Sequence, residues 1–326
     1  MRILSIAAAV LLALVFAVAA ADPAGAQALK KVRVGSVGAS AVNWPVFVAQ
    51  QKDFFKAEGV EVEITYVGNV ANTVQQLVAG AFDIGNSTFD SAIRAIAKGG
   101  SAVMIGGMTT KYPYSIMVAP SVQKVGDLKG KRIVLPFPKD LLTIVWNRWV
   151  REQGMQPADI DQLYDGATPN RFNALAAGTV QAALLTQPFD FRAAASGYKR
   201  LLDIGAYGRE YGFLTILGNP KWLQTDPAAA RAYLRAIAKA TDWLYDQGNR
   251  AEAITLLTKY TKVNEAVAGQ TYDYYIRDLH PFSRKAALPM DIVQHTLKTL
   301  VEIGDISPAE AQRSGSKMAD LRFLPK

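Results

Sequence analysis

The residues able to do chemistry cluster in short turns between an apolar run and a helix-forming run. They are Gly38–Ala39–Ser40–Ala41–Val42–Asn43–Trp44, Asn86–Ser87–Thr88–Phe89, Thr109–Thr110–Lys111–Tyr112, Phe137–Pro138–Lys139–Asp140, Ala167–Thr168–Pro169–Asn170 and Thr186–Gln187–Pro188–Phe189–Asp190. Each offers a Ser, Thr, Asn or Asp that can cap a helix, and for any single residue a cap is as good an account as ligand contact. Capping does not require Trp44, Phe89, Tyr112 and Phe189 beside it. Amides and hydroxyls among aromatic rings, with Lys111 and Lys139 as point charges, suit recognition of a small molecule.

Catalytic patterns are lacking. The chain has no Cys and two His, His280 and His295. That excludes a thiolate nucleophile, a disulfide and a Cys-ligated metal, and leaves too little for a His-rich site. Gly35–Ser36–Val37–Gly38 lacks the third glycine of a dinucleotide fingerprint, and no phosphate loop or nucleophile elbow occurs. Asp83 and Asp190 stand near strand ends, but nothing marks them as a tuned acid–base couple.

The elements that position these turns alternate. Strands are expected at Val32–Val37, Val60–Tyr66, Phe82–Gly85, Val103–Gly106 and Ser115–Val118, with helices at Pro45–Phe55, Asn72–Ala79 and Asp90–Lys98. After a polar stretch from Ala119 to Gly130 the pattern restarts. It gives strands at Arg132–Leu135, Asp161–Tyr164, Ala182–Leu185 and Arg200–Ile204, and helices at Leu141–Gln153 and Asn170–Ala177. Tyr211–Leu217 reads as a return crossing, and the remainder is mostly helical. Such alternation implies an α/β architecture with parallel strands and crossover helices. With 326 residues, 50% of them hydrophobic, there is material for two units with separate cores. The net charge of +8 is spread among acids, with no basic run interleaved with aromatics, so no nucleic acid partner is indicated.

At the N-terminus, Met1–Arg2 precedes an apolar run from Ile3 to Ala21, and Ala26–Gln27–Ala28 offers small residues for cleavage. This is the pattern of a secretory signal peptide over residues 1–28, and the expectation is that the remaining chain, without a lipid-anchoring Cys, is exported to the periplasm.

The ordered segments "PVFVAQQKDFFKAEGVEVE" after Asn43–Trp44, "LVAGAFDIGNST", "VGDLKGKRIVLP" and "RFNALAAGTVQAALLTQPF" resemble the substrate-binding proteins of ABC importers for nitrate, taurine and alkanesulfonates, a group that includes binders of thiamine pyrimidine precursors. The resemblance implies a type II periplasmic-binding-protein fold, with two α/β lobes joined by a two-stranded hinge and a ligand cleft between them. Lobe one would be residues 29–119 plus 216–326, and lobe two 120–215. By position, Asn43, Trp44, Asn86, Ser87, Thr88 and Tyr112 would line the first wall, and Lys139, Asp140, Gln187 and Phe189 the second. Phe213 would stand where the return crossing meets the cleft. In Pro136–Phe137–Pro138–Lys139–Asp140, two prolines remove N–H donors that an oxyanion cradle would use, and Lys139 could supply a charge instead. The implied cargo is an organic anion such as a sulfonate or a carboxylate, captured by closure and delivered to a membrane permease. The family's default is a monomer with no cofactor and no metal. Two other roles fit the same frame: an enzyme acting on a pyrimidine- or sulfinate-like substrate, or an exported sensor for a receptor kinase. Members that are enzymes use Cys or His, which counts against the first.

Overall fold

The computed structural model describes residues 28–326, so the expected signal peptide lies outside the described residues, save for Ala28. The chain forms two five-stranded sheets with helices packed on them. In order, the elements are β1 (Lys30–Ser36), α1 (Trp44–Gln51), α2 (Phe54–Ala57), β2 (Val60–Tyr66), α3 (Val70–Val78), β3 (Ile84–Thr88), α4 (Phe89–Ala97) and β4 (Val103–Thr109). There follow β5 (Tyr114–Val118), β6 (Arg132–Leu135), α5 (Leu141–Glu152), β7 (Asp161–Tyr164), α6 (Thr168–Ala176), β8 (Ala182–Thr186), α7 (Phe189–Ala195), β9 (Lys199–Asp203), α8 (Ile204–Tyr207) and β10 (Leu214–Gly218). The last part is helical: α9 (Pro220–Thr225), α10 (Pro227–Tyr245), α11 (Arg250–Thr261), α12 (Glu265–Tyr272), a π-type segment over Asp273–Leu279, α13 (Met290–Glu302) and α14 (Pro308–Ser314).

The first sheet has the order β2-β1-β3-β10-β4 and the second β7-β6-β8-β5-β9. In the first, β1 runs parallel to β2 and β3, while β10 is antiparallel to β3 and β4. In the second, β6 is parallel to β7 and β8, while β5 is antiparallel to β8 and β9. The odd strand in each sheet is the one that has just arrived from the other. A chain leaving one sheet at the carboxyl ends of its strands enters the next at the same level, so the entering strand must run the opposite way. Both crossings therefore lie at the floor of the space between the sheets.

Those crossings are Thr110–Pro113 outward and the stretch from α8 to Phe213 on return. They meet where the Phe213 N–H donates to the Thr109 carbonyl at 2.9 Å. The expected boundaries at 119/120 and 215/216 do not coincide with this change of sheet. Tyr114–Val118, expected in the first unit, belongs to the second sheet, and β10 spans the expected second boundary. The reason is physical: β4 and β5 are both buried apolar strands only four residues apart, so nothing in composition marks the step between them. The polar stretch after Ala119 instead folds back through a short turn of helix at Val125–Leu128 before β6.

Burial follows the periodicity. Val32 and Val34 of β1 point inward, and the mostly apolar buried face of α10 packs on α1, α2 and the first sheet. The expected single helix over 45–55 is broken at Asp53, whose left-handed backbone (φ 53°) turns the chain before α2. The lips of the two lobes meet at backbone distance. A Cβ on Gly166 of the second lobe would fall 2.7 Å from the Gly68 carbonyl oxygen and 2.7 Å from Asn69 Cβ of the first.

Candidate ligand-binding site

Between the carboxyl ends of β1 and β3 on one side and of β6 and β7 on the other lies a narrow chamber, partly open to solvent. The first lobe supplies Ser36, Ser40 and Asn43 from the turn after β1, Val70 from the start of α3, Asn86 and Thr88 from β3, and Phe213 from the return crossing. The second supplies Tyr114, Phe137, Asp140, Thr168 and Arg171.

On the first lobe, Asn43 braces its own turn. Its Nδ2 donates to the Gly38 carbonyl at 2.7 Å, and the Ser36 hydroxyl donates to its Oδ1 at 3.3 Å. Strand alternation turns Asn86 and Thr88 to the chamber and Ser87 away from it, where the Ser87 hydroxyl reaches the Val70 carbonyl at 3.5 Å. Thr88 also caps α4, accepting from Ser91 N–H at 3.4 Å. The Asn86 Nδ2 donates to the Tyr233 hydroxyl at 3.5 Å, whereas its Oδ1 is buried with no partner. A buried acceptor left in that state costs free energy until a donor meets it.

On the second lobe, Arg171 is 1% exposed. Its Nε donates to the Leu184 carbonyl at 2.6 Å, Nη1 to the Asp165 carbonyl at 2.7 Å and Nη2 to the Thr168 hydroxyl at 2.9 Å. These are neutral acceptors, and burial pulls the guanidinium's affinity for its proton below the ordinary value. Tyr114 stands beside it, its phenol pushed up to about 12 by burial, with Phe213 edge-on at 4.9 Å. Asp140 caps α5 by accepting from Leu142 N–H at 2.8 Å. Burial first, and the neighbouring Asp90 carboxylate second, push Asp140 up to about 7. Near neutral pH the wall therefore holds a guanidinium beside a carboxyl that is about half protonated.

Of the residues expected from sequence, Asn43, Asn86, Thr88, Asp140 and Phe213 come together on the chamber wall. The others lie elsewhere. Trp44 is fully buried in the first lobe, edge-on to Tyr272 at 6.1 Å and Tyr275 at 6.3 Å. Tyr112 lies in the outward crossing against Phe213 at 5.8 Å. The Lys139 ammonium reaches Asp305 at 3.1 Å, outside the chamber. Gln187 is fully buried and donates to Asp190 at 2.6 Å, and Phe189 packs on Phe172 at 5.9 Å in the second lobe's core. Arg171 and Tyr114 were not anticipated. The signal for Arg171 is a cation in the first turn of α6, where the helix dipole disfavours it, three residues after Thr168.

Comparisons with known proteins bear on the whole arrangement. YtlA of Bacillus subtilis, described as a binding protein, is 26% identical over 250 residues, covering 74% of this chain and 73% of its own. A Candida albicans protein named 4-amino-5-hydroxymethyl-2-methylpyrimidine phosphate synthase is 24% identical over 260 residues, covering 74% of this chain and 75% of its own. The solved alkanesulfonate-binding protein SsuA of Xanthomonas axonopodis pv. citri, bound to MOPS, superposes with a TM-score of 0.69 at 20% identity, covering 91% of this chain and 94% of its own. The fold is that of the periplasmic binding proteins. Residues 41–251, more than half of the chain, match the family model described as NMT1/THI5 like, and the protein belongs to that family.

Proposed function

We propose that the protein is the periplasmic solute receptor of an ABC importer, capturing a small organic anion between its lobes and presenting it to a membrane permease. The observation that carries this reading is Arg171, a buried guanidinium on the chamber wall with carbonyls and a hydroxyl as its partners. A carboxylate or sulfonate would meet that charge. The aromatic faces of Tyr114, Phe137 and Phe213 would cover an apolar body, and the unpartnered Asn86 Oδ1 would accept a hydrogen bond from a donor on the cargo. Lobe closure would then supply affinity from both walls at once.

Thermal unfolding of residues 29–326 against aliphatic and aromatic carboxylates, alkanesulfonates, nitrate and aminopyrimidines tests this. A cargo at 100 times its dissociation constant adds about 2.7 kcal/mol and raises the midpoint by a few degrees. An organic anion should do so, and Arg171→Lys, which keeps the charge but loses the planar fork, should weaken it by tenfold or more. Stabilisation by neutral aminopyrimidines alone would overturn the anion reading.

The relatives named as synthases favour one second reading, an enzyme acting on a pyrimidine-like substrate. The chamber lining contains neither of the chain's two His residues. His295 lies against Tyr211 and His280 against Tyr245. Recovery of the bound compound unchanged after prolonged incubation would support the receptor, and its conversion would support the enzyme.

A further inference from the structure

Outside the chamber, three side chains of the first lobe form a compact charged group. From α4, Arg94 Nη1 donates to Asp90 Oδ2 at 2.7 Å, and Arg94 Nε donates to Asp305, which follows α13. The Asp90 and Asp305 side chains are 1% and 5% exposed, and that of Arg94 is 16% exposed. Two buried carboxylates against one guanidinium leave an excess negative charge. The second lobe supplies what is missing. The Lys139 ammonium reaches Asp305 Oδ1 at 3.1 Å. The Leu141 N–H, in the first turn of α5, donates to Asp90 Oδ2 at 3.1 Å, and Arg94 Nη2 donates to the Lys139 carbonyl. The positive end of α5 thus faces the excess charge, against the Asp140 carboxyl at the same helix start, and the carboxylates gain the Lys139 ammonium and the Leu141 N–H only when the lobes are together. Opening would return a net negative cluster to water and leave the amides of the α5 start to be resolvated.

We propose that Asp90, Arg94 and Asp305 are positioning residues that form a charge clasp, gripping the second lobe by Lys139 and the first turn of α5 and holding the lobes together with the chamber empty. The clasp touches no cargo. Its grip falls on the turn that carries Asp140, so the chamber wall and the clasp share one helix start. This inference needs two lobes that can part, but no particular ligand, and it stands or falls separately from the anion reading.

The native chain has no Cys, so two engineered thiols carry spin labels without interference. Asn72→Cys on α3 and Asn173→Cys on α6 are exposed and belong to opposite lobes. Pulsed electron–electron distance measurements on the cargo-free protein should show a short-distance population. Lys139→Glu should lower the closed-to-open ratio by about tenfold, Asp305→Asn should lower it too, and Lys139→Arg should retain it. Lys139 is 77% exposed on its side chain, and an unchanged circular dichroism spectrum would show that the fold survives the charge reversal. A wild type that is wholly open would overturn the proposal. So would a Lys139→Glu distribution identical to wild type, or a Lys139→Arg variant that opens as far as Lys139→Glu.

Discussion

Asp140 is asked to do three things: cap a helix, face the chamber and sit beside a second carboxylate. Its proton affinity follows from the last two. With the folded-state value near 7 and the unfolded value near that of an ordinary aspartate, the folded chain binds more protons between about pH 4 and pH 7. Stability from this group is therefore full below that window and is lost as pH rises through it. Asp190, pushed up to about 6 chiefly by burial, acts in the same direction. Asp140→Asn preserves a capping side chain while removing the titration. Its melting midpoint should gain on the wild type as pH goes from 5 to 8; a constant difference across that range would refute the assignment. Arg94 and Arg171, which favour the ionised form, and Asp90, which opposes it, are the charged neighbours that set the shift.

Trp44 makes a different point at the same scale. Its type and its place before a helix suggest a ligand wall, yet its ring fills the space before Tyr272 and Tyr275. Trp44→Ala should cost about 3–5 kcal/mol in urea unfolding, as large-to-small changes in a core do. Trp44→Phe should leave cargo affinity within about twofold, since only packing is altered. A large loss of affinity in a well-folded Trp44→Phe protein would return the residue to the site.

At the scale of elements, the strands and helices were largely legible because their periodicities survive in the sequence. The alternation of Val60–Tyr66 appears as β2 over those same residues, and α5 begins at Leu141 as expected from its cap at Asp140. Pairing was not legible. Whether β5 completes the first sheet or opens the second depends on which edge meets it, and Tyr114–Val118 would be buried either way. For the same reason the chamber could be read in part only: strand alternation selects Asn86 and Thr88 over Ser87, but the strand itself was expected to end before them at Gly85. The crossings also impose a steric demand. A Cβ at Gly205, in α8, would lie 2.2 Å from the Tyr112 carbonyl oxygen of the outward crossing. Gly205→Ala must push the two crossings apart, and chemical denaturation should show a loss of about 1–3 kcal/mol. An unaffected midpoint would mean that the crossings are slack rather than in register.

For the whole molecule, the two proposed features act across the same lobes: a chamber suited to an anion, and a clasp whose carboxylates gain the Lys139 ammonium and the Leu141 N–H only when shut. If both operate, the cargo does not have to supply all of the closing free energy, and modest differential affinity for the closed form suffices to shift the population. Affinity would then depend on residues that no cargo touches, with Lys139→Glu weakening binding by the factor by which it lowers the closed fraction of the empty protein. Measured affinities that stay constant while the closed fraction falls would break that linkage.

The close approach of Gly166 to Gly68 and Asn69 has a kinetic consequence. With Gly166 against Gly68 and Asn69, and the Phe137 ring beside them, the gap between the lobes narrows at this edge. Exchange past this edge would wait for the lobes to part, and cargo contacts that bridge both walls would slow that parting. Cargoes would then differ in dwell time through the opening step, and a bulky side chain wedged at Gly166 would make the protein a leaky vessel before it made it a weak one.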